Sequence, residues 1–135
     1  MKQRILLVDD EPAFTRLLRL NLESVGGYEV WEVNDPAEAV AAARQFLPDL
    51  ILLDISMSDP DGSALAVELR KDPALRQAPI LFLTGLVSRE EVRPGKWGTG
   101  RCVYLPKPVK LRRLLAWIET CAPTPAVEMA AQSCG

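Results

Sequence analysis

Four short runs of apolar residues punctuate the chain, each ending abruptly on polar ones: Ile5-Leu6-Leu7-Val8, Leu50-Ile51-Leu52-Leu53, Ile80-Leu81-Phe82-Leu83 and Cys102-Val103-Tyr104-Leu105. Unbroken runs of this length are the pattern of strands covered on both faces, as in parallel sheets flanked by helices. A fifth run, Tyr28-Glu29-Val30-Trp31-Glu32-Val33, is less uniformly apolar, which predicts a strand nearer the sheet edge. Between the runs the period changes to that of a helix. Phe14, Leu17, Leu18, Leu22 and Val25 follow Pro12, a favoured first-turn residue, and stop at Gly26-Gly27. Asp35-Pro36-Ala37-Glu38 combines a capping acid, a Pro and a Glu three residues past the cap, and opens an Ala-rich helix to about Phe46. Ser63 to Lys71 reads as a short helix closed by Asp72-Pro73. Leu111, Leu114, Leu115 and Ile118 form the stripe of a last helix that ends near Cys121, before Pro123. Ser88-Arg89-Glu90-Glu91 has the form of a capping box, but Pro94 and Gly95 limit that fourth helix to little more than a turn.

Strand and helix therefore alternate five times, which predicts an α/β fold: one doubly wound, five-stranded parallel sheet with helices on both faces, its fourth helix short or irregular. A length of 135 residues suits a single domain that needs no metal or disulfide to hold its core. The net charge of -2 gives no reason to expect nucleic acid or an anionic membrane as partner. No apolar run is long enough to span a bilayer, and Lys2 and Arg4 precede no signal-peptide core, so a cytoplasmic location is expected. Cys102, Cys121 and Cys134 show no paired spacing and are expected to be reduced. Histidine is absent. That excludes Ser-His and Cys-His catalysis, histidine-ligated metals and an internal phosphohistidine, and leaves Asp, Thr, Lys and a hard metal ion to carry any chemistry.

The polar residues that end the apolar runs supply those groups. Asp9-Asp10 follow Val8, Asp54 follows Leu53, Thr84-Gly85 follow Leu83 and Pro106-Lys107-Pro108 follow Leu105. In a parallel sheet these positions share the carboxyl edge, where open α/β sheets place their ligands. Three carboxylates brought together there repel by about 4 kcal/mol per pair at ~4 Å in an effective dielectric near 20. A divalent cation offsets that cost, and oxygen-only ligands select a hard ion such as Mg²⁺. With Mg²⁺ bound, Asp54 becomes a candidate nucleophile toward phosphorus, with Lys107 and Thr84 positioned to neutralise charge. Each residue also has an ordinary reading: Asp9-Asp10 as a helix start, Asp54 as a turn acid, Thr84 as a loop hydroxyl, Lys107 as a solvated charge, Tyr104 as core packing. Their coincidence carries the argument. A tight turn that aims Lys107 back over the strand ends predicts a cis Lys107-Pro108 peptide bond.

In these motifs the chain resembles a response-regulator receiver domain of bacterial two-component signalling, of the stand-alone type, over about residues 3 to 121. The matching stretches are Val8-Asp9-Asp10-Glu11-Pro12, Leu53-Asp54 with Met57 and Asp61-Gly62, Leu83-Thr84-Gly85, and Tyr104-Leu105-Pro106-Lys107-Pro108. The resemblance implies a flavodoxin-like strand order 2-1-3-4-5, a receiver domain over residues 1–121 and a C-terminal tail over 122–135 with no separate output domain. It also implies that Asp54 accepts a phosphoryl group from a histidine kinase or a His-containing phosphotransfer protein. Asp10, Asp54 and the backbone carbonyl of Ser56 would hold Mg²⁺, with Asp9 acting directly or through water. Lys107 would pair with phosphoryl oxygens, Thr84 would be the switch hydroxyl, Tyr104 the aromatic that moves with it, and Gly85 would leave room for both Lys107 and phosphate. Output would pass to a downstream protein target by contact or phosphate shuttling, from a monomer or weak dimer.

Two features depart from the family pattern. Ser58 stands where a Pro usually follows Met57, and the segment from Leu86 to Arg101 lacks the signals of a full helix. Two other functions compete with the receiver reading. A Mg²⁺-dependent phosphohydrolase with an Asp nucleophile would place a second Asp two residues later, where this chain has Ser56. A receiver-like interaction module that is never phosphorylated would commonly lose an acidic or Lys position, and all are present here. A non-enzymatic phosphoacceptor is the expectation.

Overall fold

The computed structural model describes residues 2–55, 62–85, 87–94 and 101–122. Six strands form one sheet: β1 (Gln3–Val8), β2 (Tyr28–Val33), β3 (Leu50–Asp54), β4 (Ile80–Thr84), β5 (Glu91–Pro94) and β6 (Arg101–Pro106). Four helices accompany them among the described residues: α1 (Pro12–Val25), α2 (Ala39–Phe46), α3 (Gly62–Lys71) and α4 (Leu111–Cys121). The strand order is β2-β1-β3-β4-β6-β5, so the five expected strands stand in the expected order and pair in parallel.

The sixth strand corrects the expectation for the segment after Thr84. In place of a short or irregular fourth helix, β5 runs antiparallel to β6, with Val92 opposite Val103. Helix formation there would have to pass Pro94 after a single turn, whereas a strand gains ladder bonds at once from β6. Glu90, part of the apparent capping box, instead accepts hydrogen bonds from Arg113 Nε and Nη2, both at 2.7 Å, and from Trp117 Nε1 at 3.0 Å. The local signal was genuine in form and lost to tertiary partners.

Strand alternation sends successive residues to opposite faces and so builds two cores. Leu6, Val8, Ile51, Leu53, Ile80 and Phe82 pack with Ala39, Ala43, Phe46, Leu65 and Leu69 of α2 and α3. Ile5, Leu7, Leu50, Leu52, Leu81, Leu83, Val103 and Leu105 pack with Leu18 and Leu22 of α1 and with Leu114 and Ile118 of α4. The central strands β3 and β4 are buried along their whole length, which explains their unbroken apolar runs. At the start of the second helical region the Asp35 side chain accepts the Ala37 N–H at 3.0 Å, as a cap should, but the first turn is a 3₁₀ turn over Pro36–Glu38. Both residues of the Gly26-Gly27 stop take positive φ, 87° and 89°, a region that side chains disfavour.

Leu47, which closes α2, also has a positive φ, 53°, and its side chain is half exposed. An L-residue in that conformation costs about 1–2 kcal/mol, and glycine returns part of the gain as chain entropy. Leu47→Gly is therefore expected to raise the thermal midpoint by roughly 2–4 °C. Leu47→Val, β-branched at the same φ, is expected to lower it. Thermal unfolding by circular dichroism checks both.

Candidate functional site

Register brings the site together. Val8 lies beside Leu53, Asp54 beside Leu83 and Thr84 beside Pro106, so the residues that follow or end these strands emerge at one edge. The Lys107 N–H donates to Thr84 O at 3.0 Å, which extends the β4–β6 ladder by one step and fixes where Lys107 leaves the sheet. The Lys107-Pro108 peptide bond is cis, as expected from the sequence.

Asp9, Asp10 and Asp54 each offer a carboxylate oxygen, and these atoms lie within 4.8 Å of one another. Asp9 and Asp54 are buried, at 0% and 2% exposure, whereas Asp10 faces solvent. Lys107 Nζ sits 2.8 Å from Asp9 Oδ2, 3.3 Å from Glu11 Oε1 and 3.5 Å from Asp54 Oδ2. Its remaining side faces the Phe14 ring, 4.4 Å from the centroid, a distance suited to a cation–π contact. Burial pushes the Asp9 carboxyl up to about 6 against the hydrogen bonds from Lys107 and the Glu11 amide, and the charge of Asp54 pushes the same way. Burial pulls on Lys107 as well, but the hydrogen bond and charge of Asp9, with Asp54 and Glu11, outweigh it and hold the ammonium above its usual range. An all-oxygen donor set of this closeness fits a small hard cation, which would neutralise the repulsion that the single ammonium leaves.

The other expected residues surround this centre. Thr84 ends β4 and is 2% exposed. A methyl group on Gly85 would meet nothing within 4 Å, so neighbouring packing does not by itself demand glycine there. Tyr104 is half-buried and stacks on Phe82, ring centroids 5.2 Å apart at 19°. Ser56, Met57, Ser58 and Asp61 lie outside the described residues, as does the chain beyond residue 122.

Sequence reasoning missed the support beneath Asp9. Asn34 Nδ2 donates to Asp9 O and to Thr15 Oγ1, both at 2.9 Å, and Thr15 Oγ1 donates to Glu32 Oε1 at 2.8 Å. The Glu11 N–H donates to Asp9 Oδ1 at 3.0 Å. This network ties the turn after β1 to β2 and the loop behind it. Its signal was Thr15, a polar residue three and seven positions ahead of Leu18 and Leu22 on the apolar stripe of α1, where it is fully buried. Glu11 and Phe14 as partners of Lys107 carried no such signal, because Lys107 lies 96 residues beyond Glu11 and meets it only across the ends of β3 and β4.

A family model described as "Response regulator receiver domain" matches residues 5–119. The chain belongs to the response regulator receiver domain family. Among curated relatives, the receiver is similar to the DNA-binding dual master transcriptional regulator RpaA of Synechocystis, 37% identical over 84% of this chain but only 46% of that protein. It also matches the polar-differentiation response regulator DivK of Brucella anthropi, 29% identical over 89% of this chain and 96% of that one. Among solved structures it resembles the receiver domain of a Pseudomonas aeruginosa sensor histidine kinase, with a TM-score of 0.75 and 29% identity over 92% of this chain and 100% of that one. That structure holds a magnesium ion coordinated in its active-site cleft. The fold is the flavodoxin-like one common to receivers, carrying the extra β5. Among the described residues, no helix is long and apolar enough to cross a membrane.

Because the folded receiver holds the Asp9 proton more tightly than the unfolded chain, ionising Asp9 favours unfolding as pH climbs from 3.8 to about 6. In chelator, Asp9→Asn is expected to gain thermal midpoint relative to wild type as pH rises through that window, and to keep the advantage at pH 7. Melting curves of both proteins at a series of pH values in EDTA measure the difference.

Proposed function

We propose that this receiver is a phosphoacceptor in a two-component phosphorelay, with Asp54 taking a phosphoryl group from a histidine kinase or a His-containing phosphotransfer protein. The observation that carries the reading is the placement of Lys107 Nζ 3.5 Å from Asp54 Oδ2 inside a cluster of three carboxylates. An isolated pair would serve stability poorly, since two buried acids compete for one ammonium. The arrangement suits a reaction in which an anionic group arrives and the surplus charge must be balanced. Mg²⁺, held by Asp10, Asp54 and the Ser56 carbonyl with Asp9 beside it, would supply that balance when bound.

In this reading Asp54 Oδ attacks phosphorus, and Lys107 stays protonated and turns toward the new phosphoryl oxygens. Thr84, from the end of β4, donates its hydroxyl to the same group, and Gly85 leaves the approach open. Tyr104, stacked on Phe82, follows Thr84. The domain signals rather than turns over substrate, so its only chemistry is gain and loss of its own phosphoryl group, and output passes to a downstream protein by contact or phosphate transfer. The phosphohydrolase reading is disfavoured by Ser56 in place of a second Asp, and an unphosphorylated module by the retention of Asp9, Asp10, Asp54, Thr84 and Lys107 together.

Incubation with acetyl phosphate and Mg²⁺, read by intact mass, is expected to add one phosphoryl group to the wild type and none to Asp54→Asn. A wild type of unchanged mass, or an equal gain in the variant, defeats the proposal. Lys107→Ala is expected to keep Mg²⁺ binding but to lose most of the phosphoryl gain.

A further inference from the structure

Lys107 has more partners than it can keep when a phosphoryl group arrives. An ammonium has three N–H donors. In the structure they face Asp9 Oδ2 at 2.8 Å, Glu11 Oε1 at 3.3 Å and Asp54 Oδ2 at 3.5 Å, and the Phe14 ring closes the remaining side at 4.4 Å. Asp9 and Asp54 have side chains 0% and 3% exposed, so pulling the ammonium from either takes from a buried carboxylate a cationic partner that water cannot readily replace. The Glu11 side chain is 66% exposed and can exchange Lys107 for water at little cost. Glu11 is therefore the displaceable partner, and it also adds negative charge at the mouth of a site that must admit an anion.

On this basis, and resting on the phosphoacceptor reading above, we propose that Glu11 is a positioning residue that holds Lys107 in a resting pose and restrains phosphoryl acceptance. The bond from phosphorus to the donor's leaving group, P–N in a phosphohistidine or phosphoramidate and P–O in acetyl phosphate, breaks as the bond from Asp54 Oδ to phosphorus forms, and the leaving group departs with the electron pair. Lys107 keeps its protons throughout, and the N–H that faced Glu11 swings to a phosphoryl oxygen. Glu11 releases nothing but a hydrogen bond. Its removal thus leaves the chemistry intact and lowers two barriers, the release of Lys107 and the repulsion of the incoming donor.

The test compares phosphorylation rates of wild type and Glu11→Gln with two small donors, acetyl phosphate and the less highly charged phosphoramidate. Glu11→Gln is expected to react roughly three- to tenfold faster with acetyl phosphate, by the scale of local electrostatic steering, and to gain less with phosphoramidate. The gain should shrink as salt is raised, because an exposed charge is screened. A purely structural role for Glu11 would show neither the donor dependence nor the salt dependence. Equal or slower rates in the variant, or a gain independent of salt and donor, overturn the role of Glu11 while leaving Asp54 as acceptor. A wild type that gains no phosphoryl group from either donor overturns both.

Discussion

One ammonium placed among buried carboxylates is the interaction on which the rest of the structure depends. Asp9 and Asp54 are withdrawn from water, and Lys107 is the cation in contact with both among the described residues. Such a grouping forms only if three chain segments far apart in sequence arrive at one place in fixed orientation. The parallel sheet does this through register: β1, β3 and β6 deliver their ends to one edge, while β4 stands between the last two and lends a carbonyl to the Lys107 amide. Strands buried on both faces are stiff supports, and stiffness is what a site of like charges requires.

The apolar pattern made most of this arrangement legible. Five strands and the edge position of β2 follow from run length and composition, because burial on two faces leaves no room for polar residues, whereas the strand order was implied by the family resemblance. The acids and the lysine were legible for a related reason: charged residues directly after buried strands stand out against their neighbours. What stayed hidden was set by distant contacts. Nothing near Ser88 says that Glu90 will turn to Arg113 and Trp117 rather than cap a helix. Nothing near Asn34 says that its amide will hold the carbonyl of Asp9. Local signals name what a residue is able to do, and the fold selects among those options by which partners come within reach.

The family match and the site geometry support each other without being the same observation. The match runs over residues 5–119, the length of the domain. The geometry concerns a handful of atoms within a few ångströms, and it adds what a match does not contain: the second layer under Asp9 and the crowding around Lys107. A receiver can share the fold with its relatives and differ from them in the ease with which its lysine is freed.

The strand that replaces the expected helix changes the mechanics of the domain's far edge. A helix after β4 would rest on the sheet through side chains and could slide. β5 is instead joined to β6 by its backbone, and just ahead of it Glu90 is moored to α4 by three hydrogen bonds. Residues 90–94 are thus gripped from two sides, by the strand β6 and by the helix α4. Displacing β5 would therefore have to break its backbone ladder to β6 and the Glu90 contacts to α4, or carry both neighbours with it.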